Sequence, residues 1–194
     1  MKSLLVRFQI VFALLAGVVF FAGCGSSVSP EMAAKIESNA KQYTQVGMWY
    51  DLKKNGVNMV EGTNYNVGVF IPVNAEVTFV ESAKEGVIFN YQGQQVYIRN
   101  IAKYTKLDTE AFLKRTFAAS PADMSGLSSA EKASIAKGEI KAGMSKKAVL
   151  LSRGYPPAHA TPSLDNNRWR YWKNRWATMY VEFGEDGKVS KLVE

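Results

Sequence analysis

Cysteine and histidine are nearly missing from this chain of 194 residues, which holds one of each, Cys24 and His159. A lone histidine rules out His–Cys and multi-histidine metal sites and leaves any Ser-His-Asp arrangement resting on one side chain. His159 lies in Tyr155-Pro156-Pro157-Ala158-His159-Ala160-Thr161-Pro162, a proline-stiffened loop without a neighbouring carboxylate, and reads as a solvated loop histidine. Nor is there a Gly-rich phosphate loop, an H-E-x-x-H pair or a G-x-S-x-G elbow. Glu81 with Glu85, and Glu185 with Asp186, read as turn or strand-edge charges rather than a paired acid and base. An enzyme has no residues to rest on here, and neither a metal nor a cofactor is expected. A membrane-spanning run is lacking too. The uncharged stretch over residues 10–22 is thirteen residues long. As a helix it would reach about 20 Å, short of the ~30 Å hydrocarbon core.

What that stretch offers instead is a secretory signal. Lys2 and Arg7 give it a cationic start, and small Ala22 and Gly23 close it immediately before Cys24. Phe21-Ala22-Gly23-Cys24 resembles the lipobox of bacterial lipoproteins, which implies cleavage after residue 23 and diacylation of Cys24 as the new N-terminus. The alternative is an ordinary signal peptide with an incidental cysteine near its cut. One acyl chain holds a protein to a bilayer only marginally, whereas two or three hold it firmly. An acylated Cys24 leaves no thiol for a disulfide or a metal, so stability must come from packing. Gly25 stands where that family carries aspartate for inner-membrane retention. The resemblance therefore implies an outer-membrane anchor with the folded part facing the periplasm.

Without residues 1–23 the chain has 171 residues and its net charge falls from +7 to +5, a dispersed excess that suits an anionic membrane or cell wall. Nucleic acid is not expected as a partner of an exported protein. Residues 24–45 read as a lipidated tether and a helix. Ser29 is the cap, Pro30 the first helical position, and Met32, Ile36, Ala40 and Tyr43 recur at helical spacing, which extends the helix to about 43. Residues 46–118 read as a β-rich module with a trailing helix capped by Asp108. Its strands are expected at 48–50, 57–60, 67–71, 75–80, 87–91 and 96–98, separated by turns such as Lys54-Asn55-Gly56, Lys84-Glu85-Gly86 and Gln92-Gly93. Tyr50, Tyr65, Tyr91, Tyr97 and Tyr104 are candidates for a groove or, as strand aromatics usually are, for the core. Ile71-Pro72-Val73-Asn74-Ala75-Glu76-Val77 resembles the start of a bacterial SH3-like barrel, which implies a small antiparallel barrel that binds rather than catalyses.

Residues 119–128 read as a linker and 129–194 as a second, α+β module. Ser128 and Glu131 form a capping box for one helix; Ser145 caps another that Gly154 ends. Strands over 168–172, 176–183 and 188–193, joined by tight turns, make an antiparallel meander that the two helices cover. Ile140, Gly143-Met144-Ser145, Val149, Gly154-Tyr155-Pro156-Pro157, Trp169 with Tyr171, Val181-Glu182-Phe183 and Asp186-Gly187-Lys188-Val189 resemble the SmpA/OmlA (BamE-like) outer-membrane lipoprotein domain. That resemblance covers about 130–194 and implies two helices on a three-stranded sheet. It also implies a non-catalytic role in outer-membrane assembly or integrity, with envelope or outer-membrane proteins as partners.

The densest chemistry is Arg168-Trp169-Arg170-Tyr171-Trp172-Lys173-Asn174-Arg175-Trp176, four cations among four aromatics. Strand alternation turns Trp169 and Tyr171 towards the helices and leaves Arg168, Arg170 and Trp172 outside, with Trp176 and Tyr180 outward across the turn. One reading is a structural Trp–Trp cross-strand pair under cation–π cover. The other is a contact surface of Arg168, Arg170, Trp172, Arg175, Trp176 and Tyr180, residue types common at binding hot spots. The expectation is thus an α+β, lipid-anchored binding or scaffolding protein. A peptidoglycan-binding lipoprotein and an inhibitor of a secreted enzyme are the alternatives.

Overall fold

The computed structural model describes residues 28–52 and 58–194. The signal segment, Cys24, most of the tether and the Lys54-Asn55-Gly56 turn lie outside the described residues.

Helix α1 (Pro30–Glu37) begins as its cap dictates, with Ser29 Oγ accepting from Met32 N at 3.3 Å. It ends six residues short of Tyr43, and the expected helix to 43 is corrected here. Asn39 turns to a φ of 52° and strand β1 (Lys41–Thr44) follows. Met32 and Ile36 do face the core, but Gln42 and Thr44 are the buried residues of the next stretch. Lys41 to Tyr43 pair with Glu76 to Thr78 on one side and Tyr43 and Thr44 with Phe117 and Ala118 on the other, and this backbone pairing outweighs the local helical spacing.

Strands β2 (Met48–Leu52), β3 (Asn58–Glu61), β4 (Val69–Ile71), β5 (Glu76–Ala83), β6 (Gly86–Tyr91) and β7 (Gln94–Arg99) fall close to the expected runs. Helix α2 (Ala102–Thr105), helix α3 (Thr109–Thr116) and strand β8 (Phe117–Ala118) complete this part. The eight strands form one curled sheet in the order β4-β2-β3-β7-β6-β5-β1-β8. It is not antiparallel throughout as expected, because β3 and β7 run parallel from Asn58↔Val96 to Glu61↔Arg99. The reason is topological. Strand β4 crosses to the outer flank of β2, which leaves β3 an open edge, and the β5–β6–β7 meander delivers β7 to that edge in the same sense. Met48, Val60, Ile71, Val77, Phe89, Val96 and Ile98 fill the interior, closed by Met32 and Ile36 of α1 and by Phe112 and Leu113 of α3. Phe117 packs edge-on against Phe79 and Phe89, each at 5.3 Å.

Helix α4 (Ser129–Ile135), helix α5 (Lys146–Arg153) and strands β9 (Arg168–Trp172), β10 (Thr178–Phe183) and β11 (Val189–Val193) form a second assembly. Its three strands are antiparallel in the order β11-β10-β9. Trp169, Tyr171, Val181, Phe183 and Val189 meet Ile135, Ala148, Val149 and Leu151 in its core. The fold is thus α+β, with one curled sheet of eight strands and a separate antiparallel sheet of three.

Residues 119–128 carry no regular structure, yet they do not hold the two sheets apart. Asn74 accepts from Ala122 N at 2.6 Å, and Val73 joins the second core. Gly47 N donates to Leu151 O at 2.8 Å. A Cβ on Gly47 would stand 2.2 Å from Ser152 O, so only glycine permits this approach. Arg153, almost wholly buried, lies 4.5 Å from the Trp49 ring and 5.9 Å from that of Tyr171, joining one sheet to the other.

Candidate functional site

Strand β9 alternates as its sequence requires. Trp169 and Tyr171 are fully buried against α5, so Arg168, Arg170 and Trp172 stand on the outer face. On β10, Tyr180 sits opposite Arg170 in register. The outer face is a stack of cations and rings. Arg168 lies 4.0 Å from the Tyr180 ring, and Arg170 lies 5.5 Å from Tyr180 and 4.8 Å from Trp172. The stack continues across to helix α2: Trp172 meets His159 at 5.2 Å, and His159 meets Tyr104 at 4.8 Å. The His159 backbone N–H donates to Tyr104 O at 3.3 Å and anchors that loop.

Beyond Trp172 the chain turns sharply. Asn174 Oδ1 accepts from Trp176 N at 2.8 Å and Ala177 N at 2.9 Å, a side-chain turn that projects Arg175 and Trp176 outward. Trp176 is 85% exposed, and its ring lies 5.0 Å from the Arg175 guanidinium.

Between this turn and the first sheet runs a cleft of two adjoining cavities that share Tyr65, Arg175 and Trp176. The smaller, about 240 Å³, is walled by Thr63, Tyr104, His159 and Trp172. The larger, about 660 Å³, reaches Asp51, Glu61, Val67, Arg99, Ile101 and Asn174. Arg99 Nη2 binds Glu61 Oε2 at 2.8 Å, and that carboxylate draws the guanidinium pKa upward. The cleft thus combines flat aromatic walls with guanidinium, carboxylate and amide groups, a chemistry of stacking and charge-assisted hydrogen bonding.

Of the residues singled out in the sequence, Trp172, Arg175 and Trp176 meet in this cleft, while Arg168, Arg170 and Tyr180 stack on the adjoining outer face. Of the two readings of the patch, the cross-strand Trp–Trp pair is not formed between Trp172 and Trp176. Trp172 meets His159 and Trp176 meets Arg175, because Trp172 pairs in register with Thr178 and Trp176 lies in the turn. Of the groove tyrosines, Tyr65 and Tyr104 line the cleft, whereas Tyr50 and Tyr91 are buried in the first core. His159 is exposed as expected, but it is stacked rather than free. Its place was not signalled by any spacing; only the stiffening Pro156-Pro157 hinted that its loop holds one shape. Cys24 lies outside the described residues.

Among the described residues no three His, Cys, Asp or Glu side chains gather as a metal set. None of their helices is long and apolar enough to cross a membrane. No family model, curated protein or solved structure matches the chain.

Proposed function

We propose that this chain is a lipid-anchored, non-catalytic lipoprotein of the bacterial envelope, acting as a protein-binding scaffold in outer-membrane assembly or integrity. In this reading Cys24 carries the acyl chains, and the folded part, an SH3-like β module followed by a BamE-like α+β module, faces the periplasm. The observation that supports binding is the cleft beside Trp176. The Trp176 indole is 85% exposed and offers apolar area that a partner could cover. It stands at the rim of the concavity of about 660 Å³, next to Trp172 and Arg175, and Trp and Arg are the side chains most often decisive at interfaces.

The test is chemical crosslinking of the acylated protein in intact cells, followed by purification and mass spectrometry. Recovery of envelope or outer-membrane proteins, weakened by Trp172→Ala with Trp176→Ala, supports the reading; recovery that ignores both substitutions removes the cleft from it. The same spectra report the anchor, since an uncut, unmodified N-terminus would end the lipoprotein assignment. Tyr65 and Trp176, which both line the cleft, also favour a second reading, stacking on a sugar of peptidoglycan. Sedimentation with purified sacculi checks it, and protein left in the supernatant would dismiss it.

A further inference from the structure

We infer that the cleft recognises an extended, carboxylate-bearing segment of a partner protein, an inference that rests on the protein-binding reading above. It begins with an imbalance of charge. Residues 168–181 contain four cations, Arg168, Arg170, Lys173 and Arg175, and no acid. Two of these have counter-ions nearby: Arg168 meets Glu182 at 3.3 Å and Lys173 meets Glu194 at 2.8 Å. Arg170 and Arg175 have no carboxylate partner among the described residues; each lies against a tryptophan, at 4.8 Å and 5.0 Å. The Arg170 Nε is shielded from solvent and has no acceptor. Within the cleft the other charges are engaged, Glu61 with Arg99 at 2.8 Å and Asp51 in contacts of its own.

Water solvates the Arg175 guanidinium in the free protein. A partner that covers Trp176 removes that water and must bring acceptors, or it leaves a desolvated cation unpaired. A neutral sugar stacks on the rings but supplies no charge. A bilayer surface supplies phosphates, but it is broad and flat and does not follow a concave wall. A polypeptide meets both demands. Its backbone follows the cleft, a ring or aliphatic side chain enters beside Trp176 and Tyr65, and an adjacent carboxylate reaches Arg175 or Arg170.

The experiment uses the full-length protein in neutral-lipid nanodiscs and the fluorescence anisotropy of two labelled hexapeptides, one alternating glutamate with phenylalanine, the other lysine with phenylalanine. The acidic peptide is expected to bind, more weakly as salt rises. Arg175→Glu is expected to lower its affinity about tenfold or more, a typical loss for reversing an interfacial charge. Arg170→Glu should act in the same direction, and Lys132→Glu, an equal charge change on the exposed side of α4, should not. Arg175 is at an exposed turn, and a melting curve of each variant confirms that it folds. Equal binding of the lysine peptide, or indifference to Arg175→Glu, overturns the inference. So does binding of anionic vesicles or N-acetylglucosamine oligomers where the acidic peptide fails. If crosslinking recovers a Trp176-dependent protein while the acidic peptide does not bind, the scaffold reading stands and this inference alone falls.

Discussion

Single side chains help hold the two sheets together, and Asn64 is one of them. It adopts a φ of 48°, which asparagine tolerates better than other side chains, and is 9% exposed. Its Oδ1 accepts from Trp49 N at 3.1 Å, and its Nδ2 donates to Gly47 O at 3.0 Å and Arg153 O at 2.8 Å. Asn64→Ala should cost about 2–4 kcal/mol, because three buried backbone groups lose their partner. Asn64→Asp should be worse at neutral pH, since a carboxylate would face two carbonyl oxygens. Its folded pKa would lie above the unfolded ~3.9, so the variant is steadier when protonated and loses stability as pH rises. Urea titrations of both variants at pH 4 and pH 7 check this, and an Asp variant indifferent to pH would count against the hydrogen-bond assignment. Nothing in Gly62-Thr63-Asn64 marks this role in the sequence. Arg153 was equally silent. It ends α5, where burial lowers its guanidinium to about 10 while the Trp49 and Tyr171 rings and the Trp172 carbonyl, at 3.2 Å, receive it.

Among the elements, the junction of α4 and α5 depends on one carboxylate. Glu131 Oε2 accepts from Ser128 N and Oγ, both at 2.9 Å, and its Oε1 accepts from Ser145 N at 2.9 Å and Ser145 Oγ at 2.7 Å. One side chain therefore serves the N-termini of two helices. Partial burial pushes its pKa up, but the hydrogen bonds from Ser145 and Ser128 outweigh that and bring it from the usual 4.5 to about 2. The unfolded chain binds the proton more readily, so the stability this group contributes is complete above pH 4.5 and disappears as pH falls towards 2. Glu131→Gln should lower stability at pH 7 by about 1–2 kcal/mol and flatten the acid limb of the stability curve. Denaturant midpoints measured from pH 7 down to pH 2 test it; a variant with the parent's slope would refute the linkage. Ser128 with Glu131 was visible as a capping box because its signal is local. The link to Ser145, fourteen residues on, needed the two helices to be packed.

For the molecule as a whole, the docking of the sheets predicts cooperative unfolding. Gly138 has a φ of +66°, and a Cβ there would come within 2.5 Å of Trp49 Cζ2, so Gly138→Val attacks the joint through both backbone strain and overlap. The parent protein should melt in one calorimetric transition with matching calorimetric and van't Hoff enthalpies, and the variant at least several degrees lower or in two steps. Two transitions in the parent would show that the sheets unfold independently. The cleft has the same dependence. Its walls come from Tyr65 and Tyr104 on one side and from Trp172 and Trp176 on the other, so loosening the joint should weaken binding without touching a ligand contact.

Local chemistry by itself determined the caps at Ser29, Asp108, Ser128 and Ser145, the alternation that buries Trp169 and Tyr171, and the outward set of Arg168, Arg170, Trp172, Arg175, Trp176 and Tyr180. These depend on contacts within a few residues, and period and capping chemistry express them directly. Only the tertiary structure decided that Lys41–Thr44 is a strand, that β3 meets β7 in parallel, and that Tyr65, Tyr104 and His159 stand across a cleft from Trp176. Each of those outcomes joins residues far apart in the chain. Backbone pairing and docking of the two cores select among arrangements that local propensity leaves nearly equal in free energy.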